Sequence, residues 1–176
     1  MPNRLNRAVA AAGACLIVGC ATQSKPNLSG RIPNVRTTAY THSEGGGCHN
    51  ALDSRLSARH VMSAASDWSR FPLGTRFRIV GTNDEYIIDD YGTALIGTDT
   101  IDLYKPSRLD MNRWGVRHID IEILQWGSEE QSLKVLAPRA GHGCARRMLA
   151  SLQQKKTQQK DLIASVDPKK TQKKKT

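Results

Sequence analysis

The chain has 176 residues, 39% hydrophobic and 24% charged, with a formal net charge of +10. That charge sits at the ends: residues 144–176 hold ten Lys or Arg and two acids, residues 1–19 hold two Arg and no acid, and residues 20–143 hold fourteen of each sign. A neutral central region excludes a nucleic-acid-binding domain, which needs a basic face on its folded part.

Arg4 and Arg7 precede an apolar run over 8–19 that is too short to span a bilayer stably, so residues 1–19 read as an export signal. Leu16-Ile17-Val18-Gly19-Cys20-Ala21 resembles a bacterial lipoprotein box. The resemblance implies cleavage before Cys20 and lipidation of its thiol and new amino terminus. Ala21, where an aspartate would retain the protein, implies an outer-membrane lipoprotein facing the periplasm. More than one acyl chain gives a durable anchor. The alternative is a plain secretory signal with a chance cysteine, leaving a periplasmic or secreted protein.

Residues 20–34, with Pro26, Gly30 and Pro33, read as a linker. Val35 to Thr41 alternates and is β-branched, which predicts a strand. Gly45-Gly46-Gly47 opens a loop that runs to about Leu56, and His60 to Ala65 predicts the next strand. Phe71-Pro72-Leu73-Gly74 is a turn; Thr75 to Val80 and Glu85 to Asp89 then form a hairpin across Asn83-Asp84. Tyr91 to Asp99 reads as a structured loop and Ile101 to Tyr104 as a short strand. Pro106 to Trp114 predicts a helix, capped by Ser107 and ended by Gly115. Arg117 to Leu124 alternates Ile119, Ile121 and Ile123 with His118, Asp120 and Glu122, a half-buried strand. Short strands with turns every eight to twelve residues predict a mainly β fold over 35–126, a small closed or nearly closed barrel with one short inserted helix. Residues 127–154 form an extension with a short helix at 145–154. Residues 155–176, rich in Lys, Gln and Thr, predict a disordered tail. Such a charge run is usually only solvated; its functional reading is attraction to anionic wall polymers or lipid head groups.

Beyond the export signal and Cys20, the cysteines are Cys48 and Cys144. In an oxidising compartment they are disulfide candidates, and closing so long a loop is worth ~4 to 5 kcal/mol in the chain-entropy model. Free thiols are equally admissible. Cys48-His49 and His142-x-Cys144 also offer four metal ligands, but at no structural zinc spacing, so the sequence assigns no metal.

Three aspartates stand out. Asp67 precedes Phe71-Pro72-Leu73-Gly74-Thr75, Asp90 leads into Tyr91-Gly92, and Asp102 interrupts the apolar strand Ile101-Asp102-Leu103-Tyr104. Asp67 and Asp90 have an ordinary reading as turn formers. Asp102 fits a strand interior poorly. A buried carboxyl must be paired, hydrogen-bonded or protonated, and one kept protonated near neutral pH suits a general acid.

Asp67 to Leu124 resembles the 3D domain, a family of wall-active domains named for three aspartates. The residues that carry the resemblance are Asp67, Pro72-Leu73-Gly74-Thr75, Asp90-Tyr91-Gly92 through the apolar run to Gly97, Ile101-Asp102-Leu103-Tyr104, Trp114-Gly115-Val116-Arg117 and the strand Ile119 to Leu124. Val35 to Thr41 matches the family's entry strand less specifically. Thr93 stands where the family often has a second glycine, and Ile96 where it often has lysine. The family is similar to the catalytic part of membrane-bound lytic transglycosylase A. The resemblance implies a six-stranded double-psi β-barrel that cuts the β-1,4 bond between N-acetylmuramic acid and N-acetylglucosamine in peptidoglycan, with no cofactor, as a monomer. It implies Asp102 as the acid/base, Asp90 raising its pKa and orienting it, and Asp67 in a supporting role. Thr38, Tyr40 and His42, with Gly92 and Gly97, would line the groove. A barrel that holds glycan without cutting it and a hydrolase that uses water are the alternatives.

Overall fold

The computed structural model describes residues 30–44 and 46–166. The export signal and Cys20 lie outside them, as do residues 167–176. Six strands close a barrel: β1 (Arg31–Tyr40), β2 (Val61–Ala65), β3 (Arg76–Ile79), β4 (Glu85–Asp90), β5 (Ile101–Tyr104) and β6 (Arg117–Gln125). Their order around it is β1-β5-β2-β4-β3-β6. β1 pairs with β5 and β2 with β4 in parallel, while the other contacts are antiparallel. Two parallel pairs joining strands distant in sequence give the crossed, double-psi form of the barrel.

Alternation builds the interior. Ile101 and Leu103 of β5, Ile121 and Ile123 of β6, and Phe77, Tyr86 and Ile88 of the β3–β4 hairpin are fully buried. Phe77 lies opposite Tyr86 in the register and their rings stack at 5.5 Å. The Pro-Leu-Gly-Thr turn is a junction. The Thr75 side chain donates to the Pro72 carbonyl at 2.7 Å and accepts from the Gly127 N–H at 3.0 Å. Gly74, at a positive φ of 87°, donates its N–H to the Ile88 carbonyl at 2.8 Å. α1 (Arg108–Trp114) follows β5; Ser107 caps it by accepting from the Asp110 N–H, and Gly115 ends it. The Trp114 ring lies under both Lys105 and Arg117, each at 4.5 Å, and its indole donates to Thr37.

Three expectations need correction. β1 begins at Arg31, inside the expected linker. Pro33 and Asn34 read as breakers but form a bulge in the β1–β6 pairing, with Asn34 at φ 58° and its N–H bonded to Asp120. The last barrel strand ends at Gln125, and the hydrophobic core continues past it. α2 (Glu129–Leu136) and α3 (Gly143–Val166) follow, and Leu136, Ala145, Met148, Leu149 and Leu152 join the barrel's own hydrophobic cluster. α1 is the one helix inserted among the strands, as expected, α3 covers the helix expected at 145–154, and α2 is an addition. α3 runs through residues 155–166, where the sequence predicted a disordered tail; the packed stretch before it nucleates the helix, so continuing it adds one hydrogen bond per residue fixed. Cys48 and Cys144 are both free. The first is exposed in the loop after β1 and the second sits in the first turn of α3, each placed by its own element.

Candidate active site

The parallel β1–β5 pair lays two rows of side chains side by side. Thr37 and Ile101 point inward and are fully buried. The next residues in each strand, Thr38 and Asp102, are register partners on the opposite face. The Thr38 hydroxyl donates to Asp102 Oδ1 at 2.6 Å. Two residues on, Tyr40 pairs with Tyr104, their ring centroids 5.6 Å apart. His42 Nδ1 and the Tyr104 hydroxyl are 3.0 Å apart. Thr38, Tyr40 and His42 thus form one strip with Asp102.

Asp90 enters from the other side of β2. Ala65 is the register partner of both Asp90 on β4 and Asp102 on β5, so the two aspartates flank one residue. The Tyr40 hydroxyl donates to Asp90 Oδ2 at 3.3 Å, and the Tyr91 N–H donates to Oδ1 at 2.9 Å. The Asp90 carbonyl is fixed by the Trp68 indole at 2.9 Å and the Ser66 N–H at 3.2 Å.

Burial sets the electrostatics. It pushes the Asp90 carboxyl up to about 6, with the neighbouring Asp89 charge adding to it and the Tyr91 and Tyr40 hydrogen bonds opposing it. Burial also raises the Asp102 carboxyl above the usual carboxylate range; Thr38 and Arg36 oppose this and Glu44 reinforces it. Glu44 is a nearby carboxylate whose charge adds to this rise. The Tyr40 phenol, buried and close to Asp90, Asp89 and Asp102, is raised strongly and stays a neutral donor.

Asp89 was not singled out in the sequence. The β2–β4 register slips between Ala64 and Ala65, whose partners are Ile88 and Asp90, so Asp89 is the extra residue of a bulge. Its Oδ2 accepts from Ser63 Oγ at 2.7 Å and from Asn50 Nδ2 at 2.8 Å. The Asn50 side-chain oxygen in turn accepts from the Leu52 and Ser54 N–H groups, so Asp89 pins the 41–56 loop beside the strip. A second acid next to Asp90 is the only trace of this in the sequence.

Asp67 belongs elsewhere. It is 2% exposed, with Oδ1 accepting from the Ser69 N–H at 2.8 Å and Oδ2 from the Gly97 N–H at 2.6 Å. It clamps the loop after β2 to the loop before β5, each carboxylate oxygen accepting from a backbone N–H. Gly97, at φ 84°, serves that clamp. Gly92 caps the short 3-10 turn at Thr93–Leu95. Among the described residues no three His, Cys, Asp or Glu side chains converge on a point that could hold a metal ion.

Residues 62–125 match the family model of the 3D domain. Those residues are similar to the 3D domain. No curated protein matches the chain. The matched part of the 3D domain starts within β2 and ends with β6, so it includes Asp67, Asp90 and Asp102. β1, with Thr38 and Tyr40, and the helices α2 and α3 lie beyond the match but complete the barrel and its core.

Proposed function

We propose that this protein cuts peptidoglycan glycan strands by lytic transglycosylation, held at the outer membrane by lipid on Cys20. The observation that carries the reading is the Asp102 carboxyl, set mid-strand, hydrogen-bonded to Thr38 and raised by burial. A raised carboxyl holds a proton to give. Asp102 donates that proton to the glycosidic oxygen as the C1–O bond breaks. The resulting carboxylate then takes the proton of the muramic acid C6 hydroxyl, whose oxygen bonds to C1 and closes a 1,6-anhydro ring. One carboxylate acts twice and no water is consumed, unlike hydrolases that need a second carboxylate to activate water or form a glycosyl ester. Asp90 and Tyr40 present a hydrogen-bonded pair beside the same strand and orient the sugar. The match of residues 62–125 to the 3D domain supports the substrate class.

Purified sacculi digested with the mature protein are expected to release anhydro-muropeptides by mass spectrometry. Asp102→Asn, which keeps the shape but cannot cycle a proton, is expected to lower that release at least ~100-fold. Reducing ends would instead identify a hydrolase. No release from either protein, with retained pull-down by sacculi, would leave a wall-binding lipoprotein.

A further inference from the structure

A second feature adjoins the strip. A cleft of about 810 Å³ runs along the first half of β1 and is closed by Arg70, Phe71, the 98–100 segment, Trp126 and Lys155. Phe71 and Trp126 stack with ring centroids 6.3 Å apart and planes within 9°. Trp126 is 40% exposed, so an apolar face remains open to the cleft. The rim is cationic: Arg36, Arg70 and Lys155 line it against a single carboxylate, Asp99.

These cations are weakly committed. Arg70 and Asp99 stand 3.6 Å apart, but both side chains are largely in water, where such a pair contributes little. Lys155 meets the Ser69 carbonyl and lies 3.9 Å from Glu129, leaving donors to spare. Arg36 bonds to Thr100 Oγ1 at 3.1 Å. Arg36 lies two residues before Thr38 on β1 and Thr100 two residues before Asp102, just ahead of β5, so the cleft is next along the same strand pair as the candidate acid.

A neutral polysaccharide would give three cations nothing to pair with. Peptidoglycan differs from neutral amino-sugar polymers in carrying peptides with free carboxylates on its muramic acid residues. We infer that this cleft is a subsite for the peptide-bearing part of the strand, with a peptide carboxylate held between Arg70 and Lys155 and a sugar face against Trp126. The inference rests on the peptidoglycan reading above and adds a preference to it: strands that keep their peptides over strands stripped of them. Lys155 reaches the Ser69 carbonyl next to Arg70, so a guanidinium and an ammonium from neighbouring residues suit a carboxylate, one by paired donors and one as a point charge.

The test measures binding, so that it does not depend on turnover. Full-length mature Asp102→Asn protein is titrated with soluble peptide-bearing glycan strands and with the same strands after amidase removal of the peptides. Peptide-bearing strands are expected to bind roughly ten-fold tighter, the range of one charge-assisted contact. Adding Arg70→Ala and Lys155→Ala should erase that difference and leave the affinity for stripped strands unchanged. The charge-keeping pair Arg70→Lys and Lys155→Arg should restore most of it, which separates charge from folding. Trp126→Ala should weaken both ligands alike. Equal binding of the two strands by the starting protein overturns the subsite while the wall reading stands. Failure to bind either strand overturns the wall reading itself.

Discussion

Asp90 shows how a single residue couples the site to stability. Its carboxyl is raised to about 6, chiefly by burial. In the unfolded chain the same group titrates near 4. Between those values the folded state binds more protons than the unfolded state, so this group's contribution to stability falls as pH rises and is lost above about 6. Asp90→Asn removes the charge and keeps an acceptor for the Tyr91 N–H. The variant is expected to be more stable than the wild type at pH 7.5, by about 1–2 kcal/mol after allowance for partial exposure, with the gain vanishing near pH 4. Thermal melts of both proteins at a series of pH values check this; a gain independent of pH would mean that the charge is not strained. The sequence made Asp102 legible because an aspartate inside Ile-Asp-Leu-Tyr breaks the apolar alternation. It hid the role of Asp89, because a bulge depends on register against β2, and register is a property of two strands. Asp67 was legible as important but not as structural: its partners are backbone N–H groups, and backbone leaves no mark in side-chain identity.

At the scale of elements, α2 and α3 act as part of the barrel. Leu152 is 1% exposed and Met148 is fully buried, and the Trp68 N–H lies 3.4 Å from the Met148 sulfur. Ser132 on α2 accepts the Leu73 N–H at 3.0 Å within the Pro-Leu-Gly-Thr turn. Leu152→Ala is therefore expected to cost about 2–4 kcal/mol in urea unfolding, the range for a buried leucine that leaves a cavity. Leu162→Ala and Ile163→Ala, whose side chains are 65% and 62% exposed further along the same helix, should stay within about 0.5 kcal/mol. A fragment ending at residue 126 that melts like the whole chain would show that the helices are appendages. The strands and α1 were readable because each announces itself locally, by alternation, by Ser107 or by Gly115. Of the C-terminal helices only the 145–154 part of α3 was readable, because few of their other residues are apolar and the face they bury is defined by the barrel. Gly127 marks the join: a Cβ there would run into the Pro72 and Leu73 carbonyls, a constraint invisible without the turn it crosses.

For the whole molecule, the placement of charge matters more than its sum. Residues 20–143 are neutral, while residues 144–176 carry ten Lys or Arg against two acids. Among the described residues no helix is long and apolar enough to cross a membrane. Two attachments to the envelope remain as proposals: lipid on Cys20 and electrostatic attraction through the basic end. They differ in reach and in response to salt. From Cys20 to Arg31, where β1 begins, the chain can extend at most about 40 Å, so a lipid anchor would hold the candidate site close to the membrane face. A lipid anchor ignores ionic strength, whereas attraction between exposed charges is screened within about 3 Å at 1 M salt. Cys20→Ala is expected to move the protein from the membrane fraction to the soluble fraction, and 1 M salt is expected to leave the wild type membrane-bound. The soluble variant should digest purified sacculi to the same anhydro products as the wild type, because Cys20 lies outside the barrel that holds Asp102. A Cys20→Ala protein that stays with membranes until salt removes it would transfer the anchoring role to the lysines. One that stays through salt as well would rule out both attachments.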